Sequence, residues 1–179
     1  AALTGMTAPA IGVVRTWRLF VTCTPSSSNA GSTTGTFTSS YCTPTTSATT
    51  TYISNVTTTG GVTNLNNTSV YSGSGYNNNI AVSPTISQYP SSAVNFGVTI
   101  VGGTAGIAIW VDWNNDGDFA DAGETVYNSA AYMPTGLTTG SFTVPSGQAA
   151  GNYRMRVMTD WSATSPSPCA FAGTRGEIE

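Results

Sequence analysis

Five of the eight acidic residues in this 179-residue chain, Asp112, Asp116, Asp118, Asp121 and Glu124, fall within thirteen consecutive positions. Carboxylates crowded this closely repel one another, and a divalent cation is the usual way such a loop is neutralised. Counted from Asp112, the loop sets Asp112, Asn114, Asp116, Gly117 and Asp118 at positions one, three, five, six and seven. That is the oxygen spacing of an EF-hand-like calcium loop, with the glycine at the sharp turn. Glu124 stands at position thirteen instead of twelve and the entering segment reads as a strand, so closure must differ from that of an EF-hand. Asp121 is a spare ligand. Oxygen ligands with neither His nor Cys nearby select calcium over zinc or copper. The expectation is one structural Ca2+ held by Asp112, Asn114, Asp116, Asp118 and Glu124, with affinity of about 0.1 to 1 mM as in extracellular modules. The bland alternative is a solvated turn built of residues that tolerate turn conformations.

The elements that must position this loop sit in a charge-poor chain, with 7% charged residues, net charge −3 and a sequence pI near 4.6. There are five Arg, no Lys and no His. Missing with the last two are the commonest general base, the Schiff-base amine and the phosphate-binding lysine, so no enzyme mechanism suggests itself and an enzyme is not expected. The few Arg form no patch that could track phosphates, which disfavours nucleic acid. No run reads as a membrane span. Cys23, Cys42 and Cys169 are too far apart for a zinc knuckle or a redox pair, and one disulfide plus one odd thiol is the natural count in an exported protein. The start at Ala1 instead of Met suggests a removed leader or an undisplayed beginning.

Residues 9–22 put Ile11, Val13, Trp17, Leu19 and Val21 on one side of an extended strand; a helical alignment also exists, but β-branched enrichment favours the strand. The Ser/Thr-rich passage from Thr24 to Thr51 reads as a linker or long surface loop. From Thr51 the pattern is all-β, with short apolar alternations between Gly, Asn and Pro clusters. Tyr52 to Thr58 forms one strand, turned by Gly60-Gly61. Residues 63–79 form a loop anchored by Tyr71 and Tyr76. Val94, Phe96, Val98 and Ile100 share one face, and Ile107, Ile109 and Val111 another, which with Gly102-Gly103 between them reads as a hairpin. Val126–Tyr132, Ser141–Val144 and Gly151–Thr159 complete the strands. In the last, Tyr153, Met155 and Val157 point inward, with Arg154 and Arg156 opposite. Because Glu177 and Glu179 are two of only three acids outside the loop, Arg156 or Arg154 is expected to pair with Glu177.

The order Tyr41-Cys42, YISNV, a loop ending in Tyr76, IAIWVDWNNDGDFADAGE, GNYRMRV, SPSPC and the terminal GEIE resembles the GEVED domain, found in large secreted and surface proteins of Bacteroidetes-type bacteria. The resemblance runs from Tyr41 to Glu179. It implies a calcium-loop-bearing β-sandwich, jelly-roll or Ig-like, acting as a non-enzymatic accessory, adhesion or structural module. It also implies that Cys42 and Cys169 pair, a bridge that would stabilise by roughly 4 to 5 kcal/mol in the chain-entropy model. Family members continue past GE-x-E with Asp-Tyr and a last strand, whereas this sequence stops at Glu179. A sandwich short of that strand would expose a groove that residues 9–22 could fill, in their own molecule or in a neighbour.

The expected organisation is therefore an N-terminal strand in 1–23, a linker in 24–40 and an all-β sandwich in 41–179. The expected role is an exported, calcium-binding structural or adhesive module on a bacterial surface, self-associating into fibres through the N-terminal strand. A carbohydrate-binding accessory of a secreted hydrolase is the alternative, with Tyr71, Tyr76, Trp161 and Phe171 as aromatics that could stack on surface glycans.

Overall fold

The computed structural model describes residues 15–20, 32–37, 41–47, 50–83 and 85–179. Every regular element among them is a strand. Arg15–Phe20 (β1) and Ser32–Phe37 (β2) form an antiparallel two-stranded sheet, with Trp17 opposite Gly35 and Leu19 opposite Thr33. The passage expected to be a linker thus contains the partner strand of β1, since a threonine-rich backbone is well suited to pairing. Ile11, Val13, Val21 and Cys23 lie outside the described residues.

From Cys42 onward two four-stranded antiparallel sheets pack as a sandwich. One has the order β4-β3-β5-β8, built from Asn66–Thr68 (β4), Tyr52–Thr59 (β3), Ala93–Val101 (β5) and Gly136–Thr143 (β8). The other has the order β10-β9-β6-β7, built from Gly176–Ile178 (β10), Met155–Asp160 (β9), Gly106–Val111 (β6) and Thr125–Asn128 (β7). Alternation places Ile53, Val56, Val94, Phe96, Val98 and Ile100 of the first sheet against Ile107, Ile109, Val111 and Val157 of the second in one core. Phe96 meets Tyr127 edge to face at 4.7 Å between ring centroids.

The segment 93–112 is not a hairpin. Its two strands have the apolar faces expected, but β5 pairs with β3 and β8 while β6 pairs with β7 and β9. Each strand turns its apolar face toward the other, so the connection crosses from one sheet to the next. Gly102 makes the crossing at φ 87°, and a Cβ there would stand 1.2 Å from the Thr50 carbonyl oxygen. Two later strands also shift, since β7 is shorter than 126–132 and β8 begins five residues before Ser141. In β8 the inward positions are Thr138, Gly140 and Phe142, so glycine and threonine mask the alternation.

β6 is buried at all six positions. Its second face carries Ala108 and Trp110, beside Arg156 and Met158 of β9 and Ile178 of β10. The free edge of β10 is taken by the tyrosine loop, where the Ile178 amide donates to Gly75 O and the Asn77 amide to Ile178 O, each at 2.8 Å. Among the described residues no helix is long and apolar enough to cross a membrane.

Replacing Gly102 with valine should destabilise the fold by on the order of 3 kcal/mol, since it combines a left-handed backbone with a backbone clash. Urea denaturation of the variant measures this, and a loss below about 1 kcal/mol would contradict the crossing geometry.

Candidate metal centre and the buried charges

The acidic loop is the connection between β6 and β7. Its mouth is fixed by backbone pairing, with the Val111 amide donating to Glu124 O at 2.9 Å and the Asp112 amide to Arg154 O at 3.0 Å. Asp112 and Glu124 are almost wholly buried, at 0% and 2% exposure. The Glu124 carboxylate reaches back across the loop, accepting the Trp113 amide on Oε1 and the Asp121 amide on Oε2, both at 3.2 Å. Further out the chain curls through side-chain turns, Asp116 N donating to Asn114 Oδ1 at 2.9 Å and Asp118 N to Asp116 Oδ1 at 3.2 Å. Asn115 and Gly117 adopt left-handed φ of 57° and 95°, which keeps the curl tight.

Two carboxylate groups result, each with oxygens within 4.8 Å of one another: Asp112, Asp116 and Glu124, and Asp116, Asp118 and Asp121. Asp116 belongs to both. The sequence placed Asp112, Asn114, Asp116, Asp118 and Glu124 around a single centre. The fold brings Asp112, Asp116 and Glu124 together in the buried group, sets Asp118 in the outer one, and recruits Asp121. Two full charges at such a spacing repel by about 3 kcal/mol at an effective dielectric constant of about 20, a cost that a bound cation would remove. The donors are all oxygens, and the residues fit a hard cation.

Arg156, one of the two arginines expected to pair with Glu177, lies on the opposite face of the sheet from it. Glu177 stands opposite Thr159 and shares its face, whereas Arg156 lies on the face of Met158 and Ile178. Glu177 accepts the Ile53 amide at 3.0 Å and the Ser72 amide at 2.9 Å. Arg156 donates to Cys42 O at 2.7 Å and to Pro168 O, so it ties together the chain on both sides of a disulfide. That bridge joins Cys42 and Cys169, with Cα atoms 5.5 Å apart across a separation of 127 residues, as the resemblance implied. The guanidinium also lies over the Phe119 ring at 4.8 Å and the Tyr76 ring at 5.7 Å.

Sequence reasoning missed the environment of Glu179. Its carboxylate accepts from Ser69 Oγ and, at 3.4 Å, from Asn67 Nδ2. Burial, aided by the charge of Glu177 two residues away on the same face, pushes its pKa up to about 7. Burial also raises that of Glu177, against the lowering effect of the Ser72 and Ile53 hydrogen bonds. Alternation along GEIE gives the shared face, but nothing local reveals the covering loop.

The aromatics considered for sugar stacking lie in loops. Tyr71 donates to Thr46 O at 3.4 Å and packs on Tyr52, which makes it an anchor as expected. Tyr76 faces Arg156, Phe171 is half-buried, and Trp161, 43% exposed, stacks with Arg175 at 4.6 Å.

Fold and loop together define a two-sheet antiparallel sandwich whose β6–β7 connection is a compact carboxylate cluster. The family model of the GEVED domain matches residues 106–179, bearing out the resemblance carried by WVDWNNDGDFADAGE and GEIE. The matched span takes in β6 to β10 and Cys169 but not β3, β5 or Cys42, so it is narrower than the stretch from Tyr41 that the motifs suggested. Searches of curated proteins and of solved structures find no match.

Arg156→Ala should destabilise by about 2 to 4 kcal/mol, because a buried charged side chain is removed and two half-buried carbonyls lose their donor. Thermal unfolding of the oxidised protein reads this directly, with unchanged stability as the contrary result. The raised carboxyl pKa values also set a pH dependence. A folded pKa near 7 against an ordinary 4.5 means Glu179 opposes folding once it is ionised. Its contribution is fully present below about 4.5 and is lost as pH rises through about 7. Denaturation midpoints should therefore fall between pH 5 and 8 in the parent and flatten in Glu179→Gln, and an identical slope in both would refute the assignment.

Proposed function

We propose that this chain is a calcium-dependent GEVED-type module with a structural or adhesive role on the outside of a bacterial cell. The carrying observation is the meeting of Asp112, Asp116 and Glu124, two of them buried, at the end of the central strand. A calcium ion there rivets the β6–β7 connection and stabilises the sandwich without taking part in a reaction. The long-range disulfide supports an oxidising compartment. A surface with few charges, rich in Ser, Thr and Asn, suits a passive module that associates with copies of itself and with neighbouring modules.

Calorimetric titration with calcium, paired with thermal unfolding in chelator, tests this reading. Calcium at a hundredfold excess over its dissociation constant should stabilise by about 2.7 kcal/mol. Asp116→Asn, which touches both carboxylate groups, should abolish most of that gain. Equal melting temperatures in chelator and in about 10 mM calcium, well above the range of extracellular modules, would overturn it.

A second reading, a carbohydrate-binding accessory, draws on a groove of about 340 Å3 on the β4-β3-β5-β8 sheet, lined in part by Thr57, Thr59, Asn95, Gly97, Leu137 and Thr139. Its hydroxyls and amide could receive a neutral glycan. Retardation of the protein in gels containing soluble polysaccharide favours this reading if Thr139→Trp removes it.

A further inference from the structure

We propose that β8 is a docking edge for a second copy of this chain, the two β8 strands pairing antiparallel so that two four-stranded sheets become one. β8 ends its sheet, and among the described residues no strand pairs with its outer side. A free strand edge offers a row of amides and carbonyls whose natural partner is another strand.

The other edges of the sandwich are short or closed. Gly75 and Asn77 bond to β10. β4 has three residues, and β7 has four with a shift in register against β6. β8 has eight residues and pairs with β5 in unbroken register from Ala93↔Thr143 to Ile100↔Gly136. The devices that usually guard an edge are a lysine, a proline, a charge or a bulge, and β8 has none. β7 of the facing sheet runs beside β8 without pairing to it.

The chemistry favours a second copy over a charged peptide. The outward positions of β8 are Leu137, Thr139, Ser141 and Thr143, and their cross-strand neighbours on β5 are Thr99, Gly97, Asn95 and Ala93, so the joint carries no charge. Two chains of net charge −3 can meet there without like charges opposed. Opposed residues in a sheet must share a face, and a two-fold axis through Thr139 satisfies this. It sets Thr139 against its counterpart, Leu137 against Ser141, and Thr138 against Gly140 on the inner side. Leu137, 64% exposed in the single chain, then gains a cross-strand neighbour. A single strand pair buries less than a standard interface, so the dimer is weak and concentration-dependent.

This deepens the self-association in the proposed function and is separable from calcium binding, which is read on the same samples by titration. Sedimentation velocity across a hundredfold concentration range should show a rising dimer fraction, with β8 amides exchanging more slowly at high concentration. Thr139→Lys, at an exposed position, should leave the melting temperature and calcium titration unchanged. It should weaken the dimer at least about tenfold, because two lysines then face each other. A chain monomeric at all concentrations, or a dimer indifferent to Thr139→Lys, would overturn the proposal. So would β8 amides equally protected at every concentration, which would mean that β7 already covers the edge.

Discussion

The structure depends on one strand that must be buried on both faces. β6 is six residues long with no exposed position, yet a two-sheet sandwich covers only one side of each sheet. The face with Ile107, Ile109 and Val111 is satisfied by the opposite sheet, whereas the face with Ala108 and Trp110 needs a second cover made of irregular chain. Such chain cannot satisfy its own backbone polar groups by a ladder, and leaving them unpaired under a sheet costs about 1 to 3 kcal/mol each. The disulfide, the arginine and the tyrosine loop gather on that side for this reason.

A protein with so few charges nevertheless keeps several of them inside. Asp112, Glu124, Arg156, Asp160 and Glu177 are each no more than 3% exposed. A buried charge is tolerated where hydrogen bonds replace its water, and here the replacements are largely backbone groups of covering loops. Asp160 accepts the amides of Ser162 at 2.8 Å and Ala172 at 2.7 Å. Glu177 gathers Ile53 and Ser72, Glu124 gathers Trp113 and Asp121, and Arg156 serves the carbonyls of Cys42 and Pro168. Apart from the Ile53 amide of β3, these partners lie in chain without secondary structure, which the charges staple. An expectation of Arg156 or Arg154 with Glu177 counts charges and seeks opposite signs, and so it overlooks that a buried charge can be satisfied by dipoles.

What the sequence disclosed follows the same physics. Faces were legible because burial is written in alternation: Val94 to Ile100 and Ile107 to Val111 occupy the core as read. Partners were not, since alternation says which side of a strand is apolar and nothing about the neighbour to which it bonds. The step from β5 to β6 therefore passed for a hairpin. β8 was half hidden because Gly140 and Thr138 occupy inward positions where an apolar residue would have marked the strand. The acidic loop stood out by density of charge, but the division of its carboxylates did not, because which of Asp118 and Asp121 lies near Glu124 depends on how the loop closes.

That closure accounts for the thirteenth position. In an EF-hand the last ligand is carried by an exiting helix, which fixes the distance from the first ligand. Here Glu124 directly precedes β7, and its carbonyl already accepts the Val111 amide, so the antiparallel pairing of β6 with β7 sets where its carboxylate falls. The register between these strands shifts after Ile109, which adds a residue on the way from Thr125 to Tyr127. The carboxylate of Glu124 consequently points back beneath the loop, toward Asp112 and Asp116. The departure from EF-hand spacing reflects a strand-bounded loop, and the same pairing that buries β6 brings the first and last acids together.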